Sequence, residues 1–363
     1  MKRILLVVGT RPNFIKVTRF KEVAARHGRI DVQLVHTGQH FDAKMADVFF
    51  EQFGLVPDHF LEVPPGSPAS QMGRIMLGLE EVALGMKPDL MLVVGDVNST
   101  LAGAITANKM GLPLGHLESG LRSEDRGMPE EINRILTDQI TDHYFITEQS
   151  GMDHLLKEGR PKEAMHFVGN TMIDTLVKFE DRIQAATVLE DMGLGKGGHV
   201  LMTIHRPATV DDAAELGKLV ELIALVARDH PVVFPVHPRT TNNLKKFGLH
   251  DRLTAIKGLH LSGPMDYFAF QKLIATCAFV ITDSGGIQEE TTFRRVPCLT
   301  LRPNTERPST VTLGTNELIT FDLDALARAI ARIRNGTFKK GEVPPLWDGH
   351  ATERVLQVLD RVL

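Results

Sequence analysis

Cysteine is almost absent: Cys277 and Cys298 are the two in 363 residues, each in an apolar setting and neither in a Cys-x-x-Cys or Cys/His spacing. That usage gives no disulfide framework and no zinc module, and it suits a reducing compartment. An excess of basic charge is also missing. With 41 Lys and Arg against 45 Asp and Glu, a net charge of -4 and a pI near 6.4, the chain has no global field to draw nucleic acid, and no local basic motif supplies one. Long apolar runs are lacking too. The run from Ile4 to Val8 stops at Gly9-Thr10-Arg11, far short of a signal peptide or a membrane span. A cytoplasmic protein with no nucleic-acid and no membrane partner is the expectation. Two nucleotide signatures are missing where they would count: the loop after the first apolar run, Gly9-Thr10-Arg11-Pro12-Asn13, lacks GxGxxG, which speaks against a dinucleotide oxidoreductase, and no Walker A sequence occurs.

What is present describes a globular enzyme-sized chain. An apolar fraction of 43% with 24% charged residues offers enough apolar surface to offset chain entropy, and 363 residues exceed what one core usually serves. Short runs rich in Val, Ile and Leu alternate with segments of helical periodicity, the pattern of buried parallel strands joined by crossover helices. The class is α/β. Strands are expected near residues 4–8, 32–37, 90–94, 114–117, 144–147 and 166–168, then near 200–203, 232–236, 259–262, 279–282 and 298–301. Gly169-Asn170-Thr171 and the Gly-rich break at 193–198 separate the two sets. Two domains follow: 1–169, completed by an amphipathic helix over 350–363, and 170–349. Apolar helices in the first half suit a homodimer.

Open α/β sheets bind ligands at the carboxyl ends of their strands, so the polar residues just beyond the apolar runs carry the chemistry. Gly9-Thr10-Arg11-Pro12-Asn13-Phe14-Ile15-Lys16 follows the first run and places Arg11 and Lys16 near an expected helix N-terminus, a setting for a diphosphate or for two solvated cations. Asp96 in Gly95-Asp96-Val97-Asn98 and Glu118 in His116-Leu117-Glu118-Ser119-Gly120 stand at two further strand ends. Glu130 and Glu131 follow Pro129 at a helix start. Singly, Asp96 reads as a helix cap and the two glutamates as partners of a helix dipole; together, Asp96, Glu118 and Glu130 are an acid/base set for chemistry at carbon. His116 and Glu118 lack a third ligand at a recognised spacing, so no metal is expected. In the second half His205 and His237 each follow a strand beside an Arg, as a phosphate-facing rim would. Ser284-Gly285-Gly286 opens a helix with exposed backbone N–H groups, with Glu290 one turn further in for ribose hydroxyls and Arg307 in the next loop for the same anion.

In order along nearly the whole chain stand GTRPNFIKV, HTGQHFDAKM, GDVNSTLAGA, HLESGLRS, MPEEINR, GNTMIDTL, HRP, PVHPR, DSGGIQEE and NTERP. This set resembles the non-hydrolysing UDP-N-acetylglucosamine 2-epimerase family. The resemblance implies a GT-B fold, two Rossmann-like parallel-sheet domains facing across a cleft. It implies that Arg11, His205, Ser284, Gly285, Glu290 and Arg307 hold UDP, with Phe270 near the uracil, and that Asp96, Glu118 and Glu130 are the catalytic carboxylates, with His205 assisting at the phosphate. The expected reaction interconverts UDP-N-acetylglucosamine and UDP-N-acetylmannosamine through a 2-acetamidoglucal and needs no cofactor. Phe41-Asp42-Ala43-Lys44 does not match the Gln-rich basic stretch of members activated by a second substrate molecule, so that activation is expected to be absent or altered. The alternatives are an epimerase of a related UDP-acetamido sugar, a hydrolysing epimerase, a GT-B glycosyltransferase and a non-catalytic sugar-nucleotide sensor.

Overall fold

The computed structural model describes residues 1–39 and 50–363. His40–Met45 of the HTGQHFDAKM motif, and with it the expectation drawn from Phe41–Lys44, lies outside the described residues. The chain forms two compact units, one of Met1–Lys178 with Pro345–Leu363, the other of Phe179–Pro344.

The first unit is built on a parallel sheet of β1 (Lys2–Val8), β2 (Ile30–His36), β3 (His59–Phe60), β4 (Leu90–Val94), β5 (Leu114–Leu117), β6 (His143–Ile146) and β7 (Met165–Phe167), in the order β3-β2-β1-β4-β5-β6-β7. The chain winds outward from β1 to β3, returns to β4 and winds the other way, so the order reverses between β1 and β4. Strand periodicity of two sends Leu5, Val7, Met91 and Val93 to one face. They pack there against Ile75, Leu79 and Ala83 of the helix Pro68–Met86 and Ala102, Ala104 and Ala107 of the helix Asn98–Met110. The second helix comes so close that a Cβ on Gly103 would lie 2.9 Å from Val93 Cγ1, which is why small residues line it.

The last helix, Ala351–Val362, completes this unit by burying Ala351, Val355, Leu356 and Leu359. Its N-terminus is capped by a side chain from elsewhere in the chain. Asp174 accepts from the amides of Ala351 (3.0 Å) and Thr352 (2.6 Å) and from the Thr352 hydroxyl (2.6 Å), satisfying donors that the helix itself leaves open. Just before it, buried Trp347 donates its indole N–H to the Thr147 carbonyl at 3.0 Å.

The second unit repeats the plan with β8 (Val200–Thr203), β9 (Val232–Pro235), β10 (Leu259–Ser262), β11 (Phe279–Thr282), β12 (Cys298–Thr300) and β13 (Asn316–Leu318), all parallel, in the order β10-β9-β8-β11-β12-β13. One face carries Val200, Met202 and Phe279 against Leu216, Leu219, Ile223 and Leu326. The other carries Leu201, Val233 and Val280 against Leu273, Ile274 and Ile287. The order reverses between β8 and β11.

Every strand expected from an apolar run is present, within two residues at each end. The two that were not expected, β3 and β13, have two and three residues, too few to show a run or an alternation. Among the described residues no helix is long and apolar enough to cross a membrane.

Candidate active site

In the first unit the polar residues converge at the reversal between β1 and β4. Beyond β1 the chain makes only a five-residue helix, Arg11–Ile15. Arg11 is exposed in its first turn. Lys16 is not at a helix N-terminus, as the sequence predicted, but at the C-terminal end of that short helix, because the helix stops after one turn. Its side chain is buried and runs to Glu118, Nζ to Oε2 at 2.6 Å. Asn13, also buried, takes a hydrogen bond from the Thr10 hydroxyl at 3.0 Å and donates to the Val94 carbonyl at 3.2 Å, tying the loop after β1 to the end of β4.

Between them lies Gly95 at φ +69°. A Cβ there would stand 3.1 Å from Asn13 Nδ2 and 3.4 Å from Glu118 Oε2, so both the conformation and the space require glycine. Glu118 has φ +66° without being glycine. Such strain persists only where surroundings over-determine it, and it clusters at functional sites.

Asp96 is no helix cap: the N-cap of Asn98–Met110 is Val97, and no side chain caps it. Its carboxylate pairs with the buried guanidinium of Arg134, and its carbonyl accepts from Asn133 Nδ2 at 2.9 Å. Both partners belong to the helix Pro129–Gln139, which begins with Glu130 and Glu131. Those two glutamates separate sharply. Glu130 is exposed, whereas Glu131 is buried and accepts from the Ser123 amide (2.8 Å), the Ser123 hydroxyl (3.0 Å) and the Glu124 amide (3.0 Å). Glu131 thus closes the loop that delivers Glu130. Beneath the site, fully buried His116 bridges Asp138 and the Gly95 carbonyl.

In the second unit the reversal between β8 and β11 is bridged by the Thr203 and Thr282 hydroxyls at 2.7 Å. Asp283, buried, accepts from the backbone amides of His205 (2.9 Å) and Arg206 (2.7 Å), and its other oxygen lies 3.0 Å from His205 Nδ1. Burial pushes the Asp283 carboxyl up, but these bonds and the imidazole outweigh it and hold it below the ordinary carboxylate range. His205 itself is half exposed and anchored from behind. Ser284, Gly285 and Gly286 start the helix Gly285–Arg294 with no side-chain cap on its first amides. The Arg307 guanidinium stands over this turn: a Cβ on Gly285 would come within 2.8 Å of its Nη1. Glu289 (2.9 Å) and Glu306 (2.6 Å) pair with Arg307 and aim it.

Glu290 is buried one turn further along the same helix, and Phe270 is half buried on Tyr267–Thr276, packed on the sheet face behind. His237 is exposed and caps the helix Pro238–Lys246 by accepting from the Arg239 amide at 3.2 Å. Burial, then the neighbouring His205 and Arg239, press its pKa down. Its ring centroid lies 6.4 Å from that of His205. Arg239 is turned to Asp211 rather than to the His205 edge.

The residues that hold the site, Asn13, His116, Asp138, Arg134, Glu131, Asp283 and Glu289, were not singled out from the sequence as its supports. Asn13, His116, Arg134, Glu131, Asp283 and Glu289 stand in the same short motifs as the candidate site residues, whereas Asp138, one turn beyond MPEEINR, carries no sequence signal.

Two doubly wound parallel sheets, one with carboxylates gathered at its reversal and the other with a small-residue helix start under an arginine, define a GT-B-like α/β protein. The family model described as UDP-N-acetylglucosamine 2-epimerase matches residues 22–360. A UDP-N-acetylglucosamine 2-epimerase of Methanocaldococcus jannaschii is 36% identical over 98% of each chain. A UDP-2,3-diacetamido-2,3-dideoxy-D-glucuronate 2-epimerase of Pseudomonas aeruginosa is 36% identical over 99% of this chain and 100% of its own. The crystal structure of the M. jannaschii enzyme in complex with UDP-GlcNAc and UDP superposes with a TM-score of 0.89, covering 99% of this chain and 100% of that one at 36% identity. The chain belongs to the UDP-N-acetylglucosamine 2-epimerase family.

Proposed function

We propose that this protein interconverts UDP-N-acetylglucosamine and UDP-N-acetylmannosamine without net hydrolysis. The observation that carries the reading is the strained, buried Glu118 carboxylate held by Lys16 beside Gly95 and Asp96: acid/base groups at a switch point, locked before substrate arrives.

In this reading UDP is held by the second unit. The first amides of Gly285–Arg294, with Ser284, Gly285, Gly286 and Arg307, face the diphosphate. Arg11 and His237 add to its binding, Glu290 takes the ribose, Phe270 lies by the uracil, and His205, oriented by Asp283, assists at the phosphate. The first unit acts on the sugar. One carboxylate of Asp96, Glu118 and Glu130 removes the C2 proton as the C1–O bond breaks and its electrons leave with UDP, giving the C1=C2 bond of a 2-acetamidoglucal. A second protonates C2 from the opposite face while UDP returns to C1. Lys16 fixes Glu118, and Arg134 fixes Asp96. The helix after Ser284 stabilises the departing charge. The protein would work in the cytoplasm as a homodimer, its two domains being the units Met1–Lys178 with Pro345–Leu363, and Phe179–Pro344.

The test is incubation with UDP-N-acetylglucosamine in D2O, followed by NMR. UDP-N-acetylmannosamine carrying deuterium at C2 is expected, and Asp96→Asn and Glu118→Gln should each lower kcat by roughly 10²–10⁴. Free N-acetylmannosamine with UDP would make the enzyme a hydrolase instead. The equal identity to the P. aeruginosa enzyme supports a second substrate, UDP-diacetamidoglucuronate; exchange with that sugar alone would replace the first reading.

A further inference from the structure

The three segments that carry Asp96, Glu118 and Glu130 come from different parts of the fold: the turn after β4, the turn after β5, and the helix Pro129–Gln139. One buried side-chain pair touches all three. His116, near the end of β5 and 0% exposed, lies 2.7 Å through Nε2 from the Gly95 carbonyl oxygen, immediately before Asp96. Through Nδ1 it lies 2.7 Å from Asp138 Oδ1, on the helix that starts with Glu130. The second oxygen of Asp138 accepts from the Gly120 amide at 3.0 Å, two residues after Glu118, and pairs with Arg122 Nη1 at 2.7 Å.

We infer that His116 and Asp138 are positioning residues for the carboxylate site, and that His116 does this as an imidazolium donating from both ring nitrogens. The Gly95 carbonyl offers only lone pairs, so Nε2 carries a proton. Asp138 already receives the Gly120 amide and the Arg122 guanidinium, the environment of a carboxylate and not of a carboxylic acid, so Nδ1 carries one too. Burial pushes Asp138 up, yet the imidazolium and then Arg122 hold it below the ordinary range. Arg122 in turn forks onto Glu158 with Nε and Nη2, both at 2.8 Å, so the buried charges alternate and cancel.

A buried ion pair is weak support for stability, since a packed apolar pair often serves as well. What this one supplies is registration. Gly95 and Gly120 both lie in the left-handed region, at φ +69° and +80°, and this pair fixes the Gly95 carbonyl and the Gly120 amide. The same helix presents Arg134 and Asn133 to Asp96. A slip of that helix against β5 therefore moves Asp96 and Glu130 relative to Glu118, and displacement of about 1 Å costs on the order of 10²-fold in rate.

This inference rests on the epimerase reading for its kinetic test but not for its spectroscopic one. With 15N-labelled histidine in the wild-type protein, both ring nitrogens of His116 should show the shifts of protonated donors; a ring nitrogen without a proton there overturns the inference, whatever the enzyme's substrate. In kinetics, His116→Gln and the isosteric Asp138→Asn should lower kcat about 10²-fold with KM changed by no more than about 3-fold, because the groups read as holding UDP lie elsewhere. More free UDP and 2-acetamidoglucal should also escape per turnover. Asp174→Ala, a change of comparable burial in the same unit whose carboxylate caps the last helix, serves as the control for lost stability. If His116→Gln and Asp138→Asn lose thermal stability as the control does but keep wild-type kcat and partitioning, the pair is structural only. If wild-type protein leaves UDP-N-acetylglucosamine unchanged, the epimerase reading fails while the 15N result still decides the protonation of His116.

Discussion

Glu118 is where the residue scale is most informative. A left-handed backbone for a residue with a Cβ costs of order 1–3 kcal/mol, and here the Lys16 ion pair and the hydrogen bond that the Glu118 amide donates to the Phe145 carbonyl at 3.1 Å hold it. His36, at the end of β2, shows a different kind of commitment. It is buried, stacked on Phe60 with centroids 5.1 Å apart, and its Nδ1 accepts from the Gly38 amide at 3.1 Å. Burial pushes its pKa down to about 4, whereas an unfolded histidine titrates near 6.5. Between those values the unfolded chain binds a proton that the folded chain refuses. Stability is therefore intact above about pH 6.5 and falls as pH drops toward 4, by on the order of 3 kcal/mol from this group at the acid end. Urea unfolding at pH 7 and pH 5 should show the loss, and His36→Gln should flatten it; an equal slope in both proteins would assign the loss to other groups.

At the scale of elements, the helices near the candidate UDP site begin where a specific side chain makes them begin. Asp266 accepts from the amides of Phe268 (2.9 Å) and Ala269 (3.0 Å) and so starts the helix Tyr267–Thr276 that carries Phe270. Asp266→Ala should destabilise the protein by about 1 kcal/mol, seen as a lower urea midpoint at unchanged slope. UDP affinity should fall only as far as the first turn frays. By contrast, the helix Gly285–Arg294 has no such cap, and its open amides are what an anion would use.

Across the whole molecule, the chain closes its first unit with its own last helix, and Asp174 is the hinge pin of that closure. Three donors converge on a buried carboxylate; burial raises its pKa even so. Asp174→Ala should cost about 1–3 kcal/mol, the penalty for stranding those donors, and should do so with kcat per folded molecule unchanged, as thermal denaturation and a turnover assay on the same sample would show. A loss of kcat without loss of stability would mean that the last helix acts on the site.

The α/β class, the parallel strands and the strand-end loops were legible in the sequence because they depend on local apolar runs and on residue types at fixed short spacings. The Asp96, Glu118 and Glu130 motifs stood out for the same reason. Lys16 was misplaced because nothing in GTRPNFIK says that the helix ends after one turn, with Lys16 turned to a carboxylate 102 residues away. The division of labour between Glu130 and Glu131, the bridge from His116 to Asp138 and the anchoring of His205 by Asp283 were equally silent. Each joins residues from 8 to 78 positions apart. Sequence alone determined which residue types stand at the strand ends. Tertiary structure decided which of them meet, because a buried charge or donor takes its partner from whatever the packing of strands and helices brings within hydrogen-bond reach.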